Sequence, residues 1–265
     1  MVNEYVLGVE DSEIQRLRDQ ECVLNKSSVP YLTQYLCASD RVLEVGSGAG
    51  GASQIIAQLL NYSGHLTCIE REKKYVELLT LRMKYNSAGS VRIINADIHD
   101  YQTEQRYDKI YLRCVLHHLV NPIDVIRKLK TLLTSNGLLI IEEPNVSDFF
   151  TQYTPLAYQK LATAYAKLGE SFGVDFNIGI RLFSYMEQAD FHVENYQFVQ
   201  ATLQTERERQ LSTGLLTSIT SGLMSANIMS QNDITLLQKE LNTLIHSNAL
   251  MPYVTMGQIV ARNCR

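Results

Sequence analysis

The stretch Val42-Leu43-Glu44-Val45-Gly46-Ser47-Gly48-Ala49-Gly50-Gly51 decides how this chain folds. A short apolar run of strand length enters a turn dense in glycine, and the spacing over 51–60 is that of a helix. Without Cβ atoms, the turn lets a ligand touch backbone, and the helix N-terminus behind it favours negative charge. Alone, the turn leaves two ligands open, because Gly46, Gly48 and Gly51 also satisfy the G-x-G-x-x-G spacing of dinucleotide sites.

Working outward, short apolar runs recur at 65–70, 91–95, 109–112 and 138–142, each readable as a buried strand. Helical patterns at 72–85 and 122–133 fall between them, the second with Asn121 as cap and Pro122 in its first turn. Strands alternating with helices predict a parallel, doubly wound α/β sheet, whose ligands sit at the carboxyl ends of the strands. After residue 145 the alternation loosens. Helices are expected from Thr154-Pro155 to about Leu168, over 180–189, and twice between Glu206 and Ser247, the second starting near Ser230. Strands at 192–199 and 253–261 bring the sheet to seven. The stripe Ile234, Leu237, Leu241, Leu244 and Ile245 is a core face, and Arg207 and Arg209 among Glu206 and Glu208 read as a solvated run.

The expected organisation is an N-terminal helical cap segment over 1–40, with one helix from about Ser12, where Ser12 and Gln15 resemble a capping box, and another after Pro30. The core follows over 41–200, with a helical insertion at about 148–190. A cap insertion occupies 201–252, and 253–265 holds the last strand of the core sheet.

Two acids give the glycine turn its context. Glu70 ends the second strand, 22 residues past Gly48, where a carboxylate can accept from both hydroxyls of an adenosine ribose. Asp97, before Ile98 and just past the third strand, can accept from an adenine amino group.

With these residues in order, the chain resembles the class I S-adenosylmethionine-dependent methyltransferases along nearly its whole length. The resemblance is carried by Glu44-x-Gly46-x-Gly48-x-Gly50, Glu70, Asp97-Ile98, the stretch from Arg113 through His117-His118 to Asn121-Pro122, and Asn136-Gly137 before the fifth strand. It implies a Rossmann-like methyltransferase sheet with a helical cap. It also implies S-adenosylmethionine as cofactor, S-adenosylhomocysteine as product, and cofactor contacts from Glu44, Gly46, Ser47, Gly48, Gly50, Glu70, Arg71, Asp97, Ile98 and Arg113. Glu70 would take the ribose diol, Asp97 and Ile98 the adenine, and Arg113 the methionyl end. Tyr5-x-Leu-Gly8, Glu13-x-x-Arg16-Leu17-x-x-Gln20 and Gly173-x-Asp175 through Arg181 resemble members that act on small molecules, and place Gly173, Asp175 and Arg181 at the acceptor wall. Many relatives carry Asp at 44, Cys at 47, Thr at 49 and Gly at 136. The Asp-Pro-Pro-Tyr type sequence of nucleic-acid amino methyltransferases is missing after strand four, which argues against base methylation.

A sulfonium already carries an activated methyl group, so the protein's task is alignment and exclusion of water. A hydroxyl acceptor needs somewhere to put its proton. His118, and after it His117, are the expected proton acceptors, with Glu142 and Glu143 as the other candidates. Adjacent side chains diverge, so one histidine at most is expected to face the pocket. The 15 Tyr offer aromatic faces to a sulfonium, and a cap rich in Leu, Ile, Met and Tyr suits a moderately apolar acceptor.

Composition sets the bounds. The chain has 265 residues, 45% of them hydrophobic, enough for a large core without metal or disulfide staples. A net charge of −4 gives no general attraction to nucleic acid or anionic membrane. Five cysteines without a Cys-x-x-Cys pair suit a reducing cytoplasm, and the N-terminus lacks a leader pattern. The six histidines lack metal-ligand spacing, so no metal is expected. Two other functions fit the same turn. One is a nicotinamide-dependent oxidoreductase, against which stands the absence of any Tyr-x-x-x-Lys, and the other is a non-catalytic adenosyl-ligand binder.

Overall fold

Apolar residues on both faces of each central strand make this sheet an inner layer. In the computed structural model, which describes residues 11–61, 63–86, 90–147 and 154–264, the strands are β1 (Arg41–Val45), β2 (His65–Glu70), β3 (Ser90–Asn95), β4 (Tyr107–Arg113), β5 (Leu133–Asn145), β6 (His192–Thr202) and β7 (Pro252–Arg262). They form one sheet in the order β3-β2-β1-β4-β5-β7-β6, with β7 antiparallel to both neighbours. Successive side chains alternate between faces. Val42, Leu66, Cys68, Tyr111, Ile140 and Val260 pack under α1 (Asp11–Tyr35), α2 (Gly51–Leu59) and α3 (Lys73–Asn86). Leu43, Val45, Ile69, Ile110, Leu112, Ile141 and Ile259 pack on α4 (Pro122–Leu132) and on α6 (Leu182–Gln188). Strand order reverses between β1 and β4, and such a reversal opens a crevice at the carboxyl ends.

Three helices with their own core lie beyond that crevice. They are α5 (Leu156–Ser171), α7 (Glu206–Ser225) and α8 (Gln231–Ile245), joined through Leu161, Leu168, Leu216, Ile219, Ile234, Leu237 and Leu241. Capping boxes start α7, at Thr205 with Glu208, and α8, at Ser230 with Asp233, each worth about 1 kcal/mol. Val23 of α1 packs with Tyr158, Leu211 and Met251 and ties the first helix to this layer. No helix among the described residues is long and apolar enough to cross a membrane.

Several boundaries depart from the sequence reading. Helix α1 is continuous through Pro30, where two helices were expected, and Ser12 is a helical residue within it. Pro30 has no N–H for the carbonyl of Lys26. Burial of Val23, Leu24, Ser28, Tyr31 and Leu32 on both sides of it outweighs that loss. Asn121 holds the cap position of α4 without a side-chain capping bond. Strand β5 extends well beyond 138–142 because its pairing with β7 continues to Asn145. Asn136, where relatives carry Gly, sits at φ 64, a left-handed conformation that Asn tolerates. The segment 180–189 divides into a 3-10 turn, Ile178–Arg181, and α6. Arg209 does not belong to a solvated run. It is partly buried and donates to the carbonyls of Leu203, Ile245 and Ser247, while Arg207 reaches Asp19 at 2.6 Å and Glu208 pairs with Lys26.

Candidate active site

Two cavities meet at the carboxyl ends of β1 and β4. The first is a cleft of about 1200 Å³, its solvent-open mouth included, which runs from the glycine turn to Asp97 and Ile98. The second, about 800 Å³ on the same measure, lies under α5 and α7. Leu17, Gln20, Cys114 and His118 line both.

The turn after β1 builds the floor of the cleft. Gly46 and Ser47 donate their N–H groups to the carbonyl of Ile69, at 2.8 and 3.2 Å, so the turn is strapped to the end of β2. Gly48, at φ 53, donates its N–H to Glu70 Oε2 at 2.8 Å. A Cβ at Gly48 would meet nothing within 4 Å and would project into open space. Gly50 does something different. At φ 90 it is the N-cap of α2, and a Cβ there would strike Leu79 of α3, so it shapes the turn from behind and does not line the cleft.

Acids and bases ring the cleft. Glu70 is buried, with Oε1 accepting from Glu72 N–H at 2.8 Å and Oε2 from Gly48. Burial raises its pKa against those backbone donors, and each oxygen keeps a lone pair for a ligand hydroxyl. Asp97 Oδ1 accepts from the His99 N–H and faces His99 Nδ1 at 2.7 Å, while Arg71 lies 3.7 Å from Oδ2. Partial burial works upward there, but His99 and Arg71 hold the carboxyl below the usual range. Arg71 also donates to Glu72, and Ile98 is a buried wall. Glu44 is 3% exposed and engaged by Ser53 and Cys68. Burial pushes its pKa up to about 7, opposed by Ser53 and by the charge of Arg113. Arg113 gives Nη1 to Asn25 and Ser28 of α1, and buried neighbours Tyr111 and Glu142 keep it charged against its own desolvation.

The second cavity is aromatic. Tyr158, Tyr165 and Tyr253 line it, with phenol pKa values raised by burial, so all three are neutral. The cation among its described lining residues, Arg16, is clamped: Nε and Nη2 donate to Glu13 at 2.8 and 2.6 Å, and Nη1 donates to Gln20 at 2.7 Å. Glu13 accepts in turn from Ser218 Oγ.

Both histidines line this cavity, against the expectation of one at most. The 3-10 turn Leu116–His118 holds their rings side by side, centroids 3.9 Å apart and planes tilted by 42°, instead of splaying them. Glu143 organises that turn. Its Oε1 accepts N–H bonds from Val115 and Leu116 at 2.7 Å, and Oε2 faces His117 Nδ1 at 2.7 Å. Burial pushes the Glu143 carboxyl up to about 7 and the His117 imidazole down to about 3. Burial and the neighbouring His117 also hold His118 well below its ordinary value. Glu142 and Glu143 line neither cavity. Glu142 is enclosed by Tyr111, Ser28 and Gln258.

Gly173, Asp175 and Arg181 also lie off both cavities. Arg181 is largely exposed and pairs with Asp175 at 3.2 Å, and Asp175 also accepts from Asn177 N–H, so the motif is a turn leading into the 3-10 segment. Tyr5-x-Leu-Gly8 lies outside the described residues. The sequence reading gave no site role to Glu21 and Leu24 of α1 or to the three tyrosines. Only Glu13-x-x-Arg16-Leu17-x-x-Gln20, a spacing that sets these residues along one helix face, hinted at them.

A seven-stranded Rossmann-like sheet with a cleft at its switch point is the fold shared by class I S-adenosylmethionine-dependent methyltransferases. Residues 37–173 match the family described as a methyltransferase domain, about half the chain, and the protein belongs to that family. It is 30% identical to a protein-L-isoaspartate O-methyltransferase of Thermosipho melanesiensis over 47% of this chain and 62% of that protein. It is 27% identical to pavine N-methyltransferase of Thalictrum flavum subsp. glaucum over 56% of this chain and 43% of that one. The match thus spans less than two thirds of either curated relative's length. A solved structure of coclaurine N-methyltransferase, bound to N-methylheliamine and S-adenosylhomocysteine, shares the fold with a TM-score of 0.57 and 16% identity, covering 90% of this chain and 72% of that one.

Proposed function

We propose that the protein transfers a methyl group from S-adenosylmethionine to an oxygen or nitrogen of a small, uncharged organic acceptor held in the aromatic cavity. The observation that carries the reading is the junction: a cleft edged with carboxylates and a cavity lined by tyrosines share the wall formed by Leu17, Gln20, Cys114 and His118.

The residues present fit the cofactor. Open space over Gly48 accommodates a ligand against backbone, Glu70 has oxygens free to accept from a diol, and Arg113 supplies charge at the far end. When bound, S-adenosylmethionine supplies an activated methyl on a sulfonium, so transfer needs positioning more than acid–base power. The chain's residues do the rest. Helices α1, α5 and α7 exclude water over the junction, which strengthens each polar contact inside it. Among the described residues, the neutral phenols and the compensated Arg16–Glu13 pair leave no unpaired charge in this cavity to attract an ionic acceptor.

The acceptor's proton goes to the histidine pair. His118 stands at the junction, neutral at physiological pH. His117 faces Glu143 through Nδ1, so a proton taken up at its Nε2 is balanced by passing the Nδ1 proton across the 2.7 Å contact to the carboxylate. The resulting enzyme is a cytoplasmic small-molecule methyltransferase, a location in keeping with its five free cysteines. Incubation with methyl-labelled S-adenosylmethionine and a panel of uncharged phenols and amines tests this. One S-adenosylhomocysteine released per methylated acceptor is the expected result. Absence of calorimetric heat with S-adenosylhomocysteine, or tight binding of reduced nicotinamide cofactor by fluorescence, overturns it.

A further inference from the structure

We infer that Glu21 of α1 binds the ammonium group at the amino-acid end of the cofactor, opposite Arg113, which takes the carboxylate. The inference rests on the proposed use of the cleft for S-adenosylmethionine, and it adds a recognition residue from outside the matched family region, 37–173.

The argument is one of charge pairing. S-adenosylmethionine and its product both end in a zwitterion, and the walls beside this end of the cleft, Leu17, Leu24, Ala49 and Ala52, are apolar. Each buried charge therefore needs a partner. Arg113 gives only Nη1 to protein acceptors among the described residues, so Nε and Nη2 remain for a carboxylate. The ammonium must find an acid. Of those lining the cleft, Glu44 is bound at Oε2 by Ser53 and Cys68 and, at 3% exposed, is driven by burial towards its neutral form, which makes it the poorer partner for an ammonium. Glu70 is held at the ribose end by the backbone of Gly48 and Glu72, and Asp97 is held by His99. Glu72 is bound to Arg71 at the mouth.

Glu21 is the acid left. Its carboxyl packs against Gly51 at the start of α2, where an added Cβ would collide with it. Arg82 donates to its Oε2 at 3.0 Å, which fixes the side chain and leaves Oε1 without a protein donor among the described residues. The side chain is 17% exposed, close enough to Arg113 and Glu44 to be felt by both charges. Gly at 51 is thereby explained: the helix begins with a residue that makes room for an acid from another element.

Two nucleosides separate this role from structural support. S-adenosylhomocysteine carries the amino-acid end, and 5′-methylthioadenosine keeps adenosine and thioether but lacks it. Calorimetry on the full chain should show Glu21→Gln losing at least about tenfold in affinity for S-adenosylhomocysteine, about 1.4 kcal/mol, while 5′-methylthioadenosine changes by less than about twofold. Glu21→Asp should fall between. Unchanged S-adenosylhomocysteine binding in Glu21→Gln, or an equal loss for both ligands, overturns the assignment. So does a wild type that does not distinguish the two nucleosides. A wild type that binds neither overturns the function itself, a different outcome from the others.

Discussion

The two cavities are built by opposite means. The cofactor cleft draws on strand ends and the turns after them, mostly between Glu44 and Leu119, and recognises through backbone N–H groups and charged side chains. The second cavity, where the proposed function seats the acceptor, draws on α1, α5, α7 and β7, which are far apart in the chain, and presents tyrosines, leucines and a self-neutralised ion pair. A cleft made of backbone serves any relative that uses the same cofactor. A cavity made of side chains on separate helices can change its acceptor without disturbing the sheet.

If that division is real, a change in one cavity should leave the other intact. Gly48→Val gives the largest effect. It places a β-branched side chain at φ 53 and in the open space of the cleft, so S-adenosylhomocysteine affinity should fall at least about 100-fold by calorimetry, while far-UV circular dichroism is retained. Leu215→Trp comes next. Leu215 is half-buried on α7 and lines the acceptor cavity, so a larger ring should cut methyl transfer at least about tenfold and leave S-adenosylhomocysteine affinity within about twofold. Equal losses in both readouts would break the comparison.

The smallest effect concerns pH. Glu143 has its folded pKa raised to about 7 by burial, so its contribution to stability is present at low pH and is lost as pH rises towards 7. His117, lowered to about 3 by burial, contributes the other way: stability present above its unfolded value near 6.5 is lost as pH falls. The two slopes oppose each other between about pH 4.5 and 6.5. His117→Gln removes only the second, so its melting temperature relative to wild type should drop as pH is raised from 5 to 6.5. A difference that stays flat with pH would mean that burial does not lower the pKa of the His117 imidazole on folding.

The same division explains what the sequence could disclose. Buried on both faces, β1, β2 and β4 read as unbroken apolar runs, and the glycine turn with Glu70 and Asp97 announces its ligand by residue type and spacing. Pro30 misled because a proline's local cost is visible in sequence, while the burial of Leu32 and Tyr31 that outweighs it is tertiary. Gly50 misled because which way a missing Cβ would point depends on α3, packed behind it. The sequence marks the two histidines as candidates by their place after strand four, but their shared orientation depends on a 3-10 turn that Glu143, more than twenty residues later, holds in place. The tyrosines of the acceptor cavity could not be picked out, since nothing along the chain brings Tyr158 and Tyr253 together before α5 docks beside β7.

The position of β7 also dictates an order of assembly. Among the described residues it is the last strand in sequence, yet it lies between β5 and β6 and is the one strand joining β6 to the rest of the sheet. During synthesis β6 therefore emerges before β7, the strand it pairs with, and stays unpaired until that later strand leaves the ribosome and slots in. Tyr253, carried on that same segment, reaches the acceptor cavity at the same late moment, so a growing chain can shape its cofactor cleft well before it has anywhere to hold an acceptor.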